Sequence, residues 1–209
     1  MKKLIFILLV IMCMFSAVVQ ADISNESDEL IVFVDRQLIT HTVQIFMANP
    51  FGICSGVVIK KTNDLTYILT CKHCVSLNEE VYVEDKLVIG VICSAGDDLA
   101  ILIVDGVLKD KVSVKLAPEN AKKDDIIYLV GYPHMNEEIF VSKGTVLRYI
   151  DDWGLGKLLS IGGTSGGGIF NTKSELIGTN WGSFTKDSIN LFEPVSDIKI
   201  FLNTYNLLW

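Results

Sequence analysis

Between His41 and Val195 the chain is a succession of short apolar runs separated by polar or glycine-bearing turns. Such spacing leaves no room for crossover helices and argues for a β-barrel or sandwich over a parallel βαβ sheet. The runs are 41–47, 53–59, 65–70, 81–83, 87–92 and 99–104, then 126–130, 139–141, 145–150, 158–161, 168–170, 176–181 and 189–195. Residues 105–124, with Pro118 and a cluster of charges, read as the crossing between two halves. After Ser196, Ile198, Phe201 and Leu202 have helical spacing, which predicts a helix over 197–206 with Ser196 as N-cap and Asp197 in the first turn.

One stretch stands out in the second half. In Gly162-Gly163-Thr164-Ser165-Gly166-Gly167-Gly168 a serine sits among five glycines. Dense glycine is costly unless the backbone must take φ > 0 or leave its N–H groups pointing at something. Two convergent N–H groups make an oxyanion hole, and a serine beside them is a candidate nucleophile. A nucleophile needs a base. Of the three histidines, His73 lies where the apolar strand Leu65–Thr70 runs out into Cys71-Lys72-His73-Cys74. A carboxylate to orient it stands at Asp98, at the mouth of the apolar run Leu99–Val104, with Asp97 as competitor. His41 and His134 read as surface or structural residues, His134 bordering a cleft in its Gly-Tyr-Pro-His loop.

The N-terminus has the layout of an export signal. Met1-Lys2-Lys3 precedes the apolar run Leu4–Val19, and Val19-Gln20-Ala21 ends on a small residue, predicting cleavage after Ala21. The run is short for a membrane span. Residues 22–40 would then be an N-terminal arm. Four of the five cysteines would remain in the exported chain, Cys54, Cys71, Cys74 and Cys93, and two disulfides have three possible connectivities. The expected location is secreted or periplasmic. A formal net charge of −7 argues against nucleic acid or an anionic membrane as partner once the signal is removed. Cys71-x-x-Cys74 invites a zinc or redox reading. No second ligand pair follows at zinc spacing, and no βαβ pattern surrounds it.

Taken together, these residues resemble the chymotrypsin-like serine proteases, most closely the small bacterial trypsin-like peptidases of the Deg/HtrA type. Five pieces carry the resemblance over roughly residues 41–203: Ser55-Gly56-Val57-Val58, Ile68 to Val75, Asp98 to Leu102, Gly163 to Gly167, and Phe192 to Ser196. The resemblance implies an all-β fold of two six-stranded β-barrels, 41–118 and 119–195, with a C-terminal helix in 196–209. It implies a serine endopeptidase with no cofactor and no metal, acting on protein or peptide substrates. His73, Asp98 and Ser165 would be the triad, with the N–H groups of Gly163 and Ser165 as oxyanion donors. Leu159, Ser160 and Thr179 would shape the primary specificity site, against Arg or Lys there. Asn180, Trp181 and Gly182 would pair with the substrate backbone. It implies a Cys54–Cys74 disulfide, leaving Cys71 to pair with Cys93 or remain a buried thiol. Two features depart from the family. Thr164 cannot make the ion pair an aspartate makes there in zymogen-activated relatives, and Lys72 stands where a small residue is usual. The alternative is a non-catalytic member of the same fold that binds proteins.

Overall fold

The apolar runs pair into two antiparallel barrels. The computed structural model describes residues 36–48, 51–75, 80–133, 138–184 and 188–208. The predicted signal segment 1–21, most of the predicted arm 22–40, and His134 lie outside these residues. Gln37–Trp209 form one compact unit. No helix of the described residues is long and apolar enough to cross a membrane.

The first barrel comprises β1 (Thr42–Ala48), β2 (Phe51–Lys61), β3 (Leu65–Thr70), β4 (Val81–Val83), β5 (Lys86–Cys93) and β6 (Ala100–Asp105), closed in the order β1-β2-β3-β6-β5-β4. Its inward positions, most of them β-branched, include Val43, Ile45, Val58, Ile68, Leu102 and Val104 and form the core. The second barrel comprises β8 (Ile126–Gly131), β9 (Phe140–Ile150), β10 (Trp153–Lys157), β11 (Gly168–Asn171), β12 (Glu175–Phe184) and β13 (Ile189–Pro194). Their order is β11-β8-β9-β10-β13-β12, and pairing of β11 with β12 closes the ring. Ile127, Leu129, Val146, Ile169, Ile177 and Phe192 fill it. This is the chymotrypsin-like architecture.

Several expectations change. Residues 140–150 form one strand, β9, through Gly144, where a Cβ would stand 2.0 Å from the Lys157 carbonyl oxygen. Residues 158–161 are not a strand; the strand lies just upstream as β10, paired to β9 and β13. The crossing contains a short strand, β7 (Lys115–Leu116), parallel to β12 at Glu175–Leu176. The C-terminal helix runs Val195–Thr204 and buries Val195, Ile198, Phe201 and Leu202. Its N-cap is Pro194, not Ser196. The end is capped from the crossing instead: Asn120 Oδ1 accepts the Ser196 N–H at 3.0 Å, and Asn120 Nδ2 donates to Ser196 Oγ at 3.0 Å.

Candidate active site

The end of β3 turns into a short 3-10 helix, Lys72–Cys74, which lifts His73 out of the first barrel. The turn between β5 and β6 brings Asp98 against it. One Asp98 oxygen accepts the His73 backbone N–H at 2.8 Å, and the other meets His73 Nδ1 at 2.5 Å. A carboxylate bound to both the backbone and the ring fixes the ring's orientation and favours a proton on Nδ1, leaving Nε2 as the base. Asp97 is occupied locally, accepting the Ser94 hydroxyl at 3.0 Å. The Lys72 ammonium donates to the Ser94 carbonyl at 2.9 Å.

The cysteines pin this turn. Cys54 and Cys74 form a disulfide, joining β2 to the residue after His73. Cys71 and Cys93 are free thiols. Cys71 is fully buried and donates to the Asn180 carbonyl at 3.1 Å. Burial, and then the negative charge of Asp98, push its thiol well above the ordinary range. A thiol held protonated, beside a Cys74 already bridged elsewhere, is a poor exchange nucleophile. The group Cys71, His73 and Asp98 also brings its ligand atoms within 4.8 Å of one another, but two of the three are committed to the histidine–carboxylate contact.

The glycine loop supplies Ser165. Its carbonyl accepts the Ser55 N–H at 2.8 Å and lies 3.8 Å from Cys74 Sγ, so the serine backbone is tied to β2 and to the histidine turn. The Ser165 hydroxyl has no hydrogen-bond partner among the described residues. His73 Nε2 lies 3.7 Å from Cys74 Sγ and makes no hydrogen bond to Ser165. In ligand-free sites catalytic hydrogen bonds are often long and close only in the complex. The N–H groups of Gly163 and Ser165 donate to nothing among the described residues, which leaves both open to an oxyanion. Gly163 and Gly166 adopt φ +95 and +80. At Gly166 a Cβ would stand 2.2 Å from the Ser55 carbonyl oxygen, so only glycine fits.

Ser55 has a part that its motif did not announce. It is fully buried; its hydroxyl donates to the Gly163 carbonyl at 2.9 Å and accepts the Tyr132 N–H at 2.7 Å. One first-barrel side chain therefore holds the glycine loop and the end of β8. His41 is structural: Nδ1 bonds the Val112 carbonyl at 2.8 Å and the ring stacks on Phe170.

The expected substrate-facing residues divide. Leu159 is 48% exposed at the mouth of the loop, and Trp181 bulges from β12 where the register to β13 shifts. Gly182 pairs with Leu191 of β13. Thr179 is fully buried. Asn180 does not offer an edge to a substrate. Its N–H donates to Gly167 O and its carbonyl accepts from Gly166 N, while its amide is buried against Ser160, Thr164 and Asn190. Ser160 belongs to that same buried network at 8% exposed. The second-barrel polar core thus serves the loop from behind.

Two residues to which the motifs gave no role lie near His73. Glu193, on β13, is 2% exposed and its Oε1 accepts the Asp98 N–H at 3.2 Å. Trp153, on β10, meets Trp181 edge to face with ring centroids 5.1 Å apart. The first contact crosses from β13 to the turn before β6 in the other barrel, and the second spans β10 and β12 over the intervening β13.

The fold recurs in solved structures. An inactive form of Rv3671c from M. tuberculosis superposes with a TM-score of 0.70 at 18% identity, covering 82% of this chain and 88% of that one. The active form of the Rv3671c protease gives 0.66 at 17%, covering 81% and 82%. A serine endoprotease from Yersinia pestis gives 0.70 at 21%, covering 82% of this chain and 64% of that one. At these identities the likeness speaks for the fold. No curated protein matches the sequence. The family model of the trypsin-like peptidase domain matches residues 54–178, a span that holds His73, Asp98, Gly163 and Ser165. On that match, with both barrels in place around the residues it covers, this chain belongs to the trypsin-like peptidase domain family.

Proposed function

We propose that the protein is an exported serine endopeptidase, cutting proteins or peptides through Ser165, His73 and Asp98 by way of an acyl-enzyme. The observation that carries this reading is the double hold of Asp98 on His73, at 2.8 Å to the backbone N–H and 2.5 Å to Nδ1. Substrate binding would close the remaining contact, from the Ser165 hydroxyl to His73 Nε2. His73 would then take the hydroxyl proton as Ser165 attacks the carbonyl carbon, and the N–H groups of Gly163 and Ser165 would receive the oxyanion. His73 would pass that proton to the leaving amine. Water, deprotonated by the same ring, would release the acid and restore the serine.

The exposed Leu159 beside the loop supports a small or apolar residue at the bond cut. Export is supported by the N-terminal basic and apolar layout together with the Cys54–Cys74 disulfide, which persists in oxidising compartments.

Labelling by a fluorophosphonate probe tests the proposal on protein recovered after export, beside Ser165→Ala and His73→Ala. Labelling that vanishes in both variants is expected. A well-folded wild type that stays unlabelled would overturn constitutive catalysis and leave a binding module.

A further inference from the structure

Beside His73 the surface opens into a pocket of about 720 Å³ whose walls carry five carboxylates: Asp97, Asp98, Asp151, Asp152 and Glu193. No lysine or arginine lines it. Asp98 is occupied by His73. Asp151 and Asp152 form the tip of the β9–β10 hairpin, where Ile150 pairs with Trp153, and both are exposed.

Glu193 is the observation that asks for a ligand. It is 2% exposed, yet its one hydrogen bond among the described residues comes from a neutral backbone N–H. A buried carboxylate ordinarily has a cation or several donors, because isolating the charge is expensive. Here the neighbours add to the cost. Burial first, and then the charges of Asp97, Asp197 and Asp98, push its carboxyl up to about 7, against the relief of the Asp98 N–H. Asp197 is raised too, by burial and then by Asp97 and Asp152, and its Oδ2 is buried without a partner. The missing member of this arrangement is a positive charge.

The shape decides what kind. No three of these carboxylates bring ligand atoms within 4.8 Å of one another, so they do not close on one metal ion. They are spread as an extended cation with several donors would need. Trp153 and Trp181 form an aromatic wall, and Trp153 is 46% exposed. A planar guanidinium suits such a wall, stacking on the ring while its fork reaches carboxylates. Trp181 follows Asn180, whose backbone bonds Gly166 and Gly167 beside Ser165. The pocket is thus on the side of the cleft where the acyl part of a substrate would run.

We propose that this pocket receives a basic side chain of the substrate, an arginine above all, a short way upstream of the bond cut. Asp152, Asp97 and Glu193 hold its charge, and Trp153 and Trp181 flank it. The inference rests on the peptidase reading above. It gives the substrate an apolar residue at the bond and a basic one before it.

Peptides with an apolar residue at the bond and either arginine or its neutral isostere citrulline at each upstream position in turn test this. Binding is read by anisotropy on Ser165→Ala, and kcat/KM on the wild type. At one position arginine should bind about tenfold tighter than citrulline, as a partly desolvated charge pair does, and be cut correspondingly faster. The preference should shrink with added salt and fall severalfold in the double variant Asp151→Asn, Asp152→Asn. Equal binding of both peptides at every position overturns the pocket's role even if cleavage is brisk. Selective binding of the arginine peptide without cleavage or probe labelling upholds the pocket and overturns the peptidase reading alone.

Discussion

Glutamine at position 193 isolates the strain stored beside the candidate triad. The amide keeps an acceptor for the Asp98 N–H and removes the charge that Asp97, Asp98 and Asp197 oppose. The carboxyl of Glu193 is raised from 4.5 to about 7 in the folded chain, first by burial. A raised acid binds its proton more tightly folded than unfolded. Its cost is therefore absent below pH 4.5 and accumulates as pH climbs, until the folded group ionises near 7. At about 1.4 kcal/mol for each unit, the full shift corresponds to about 3–4 kcal/mol at most. Urea unfolding of both proteins across this range is the assay. Glu193→Gln should gain on the wild type steadily between pH 4.5 and about 7, reaching up to about 3–4 kcal/mol, and the gap should then stay level. His73, Asp98 and the other acids are common to both chains and cancel to first order. Stability curves that run parallel through the whole range would refute the account of Glu193 as a buried charge lacking a cation.

Two other perturbations follow from the same geometry. Ser55→Ala leaves the Tyr132 N–H and the Gly163 carbonyl without their partner, costing about 1–3 kcal/mol of stability. Because the Gly163 carbonyl anchors the loop, kcat should fall more than KM rises, by analogy with the 10²–10³ that losing a whole oxyanion donor costs, though by less. Reducing the Cys54–Cys74 bridge, or replacing both cysteines by alanine, opens a loop of sequence separation 20. Chain entropy puts the loss at about 3 kcal/mol. Thermal unfolding with and without reductant measures it, and probe labelling reports whether His73 stays in register.

Much of the fold could be read from the chain because the strands are short and locally apolar. Leu65–Thr70 and Val81–Val83 announce themselves by alternation and by the turns around them. Elements whose reason lies elsewhere could not be read so. In β10, Gly154 and Gly156 look like turn residues. The structure needs glycine at 154 because the Phe192 ring lies flat there, 2.2 Å from where a Cβ would stand. β7 exists only because β12 offers it an edge. Ser196 had the chemistry of a cap, yet the capping side chain is Asn120, 76 residues earlier. The site shows the same division. His73 and Asp98 could be singled out by their places at strand ends, and the structure joins them. Asn180 looked like a strand edge open to substrate. Its partners in the glycine loop and on β13 make it a buried junction. Glu193 lies within the Phe192–Ser196 piece, but an acid in an apolar strand announces no role of its own. Its meaning comes from the Asp98 backbone across the barrel interface.

The hydroxyl of Ser55 belongs to the first barrel and the loop it holds belongs to the second. Asn180 and Glu193, which brace the glycine loop and Asp98, come later still in the chain. Neither half contains a finished site. A polypeptide emerging from its N-terminus therefore cannot brace the glycine loop or Asp98 until β13 has been released, so the site is completed only after strands of both barrels have been made.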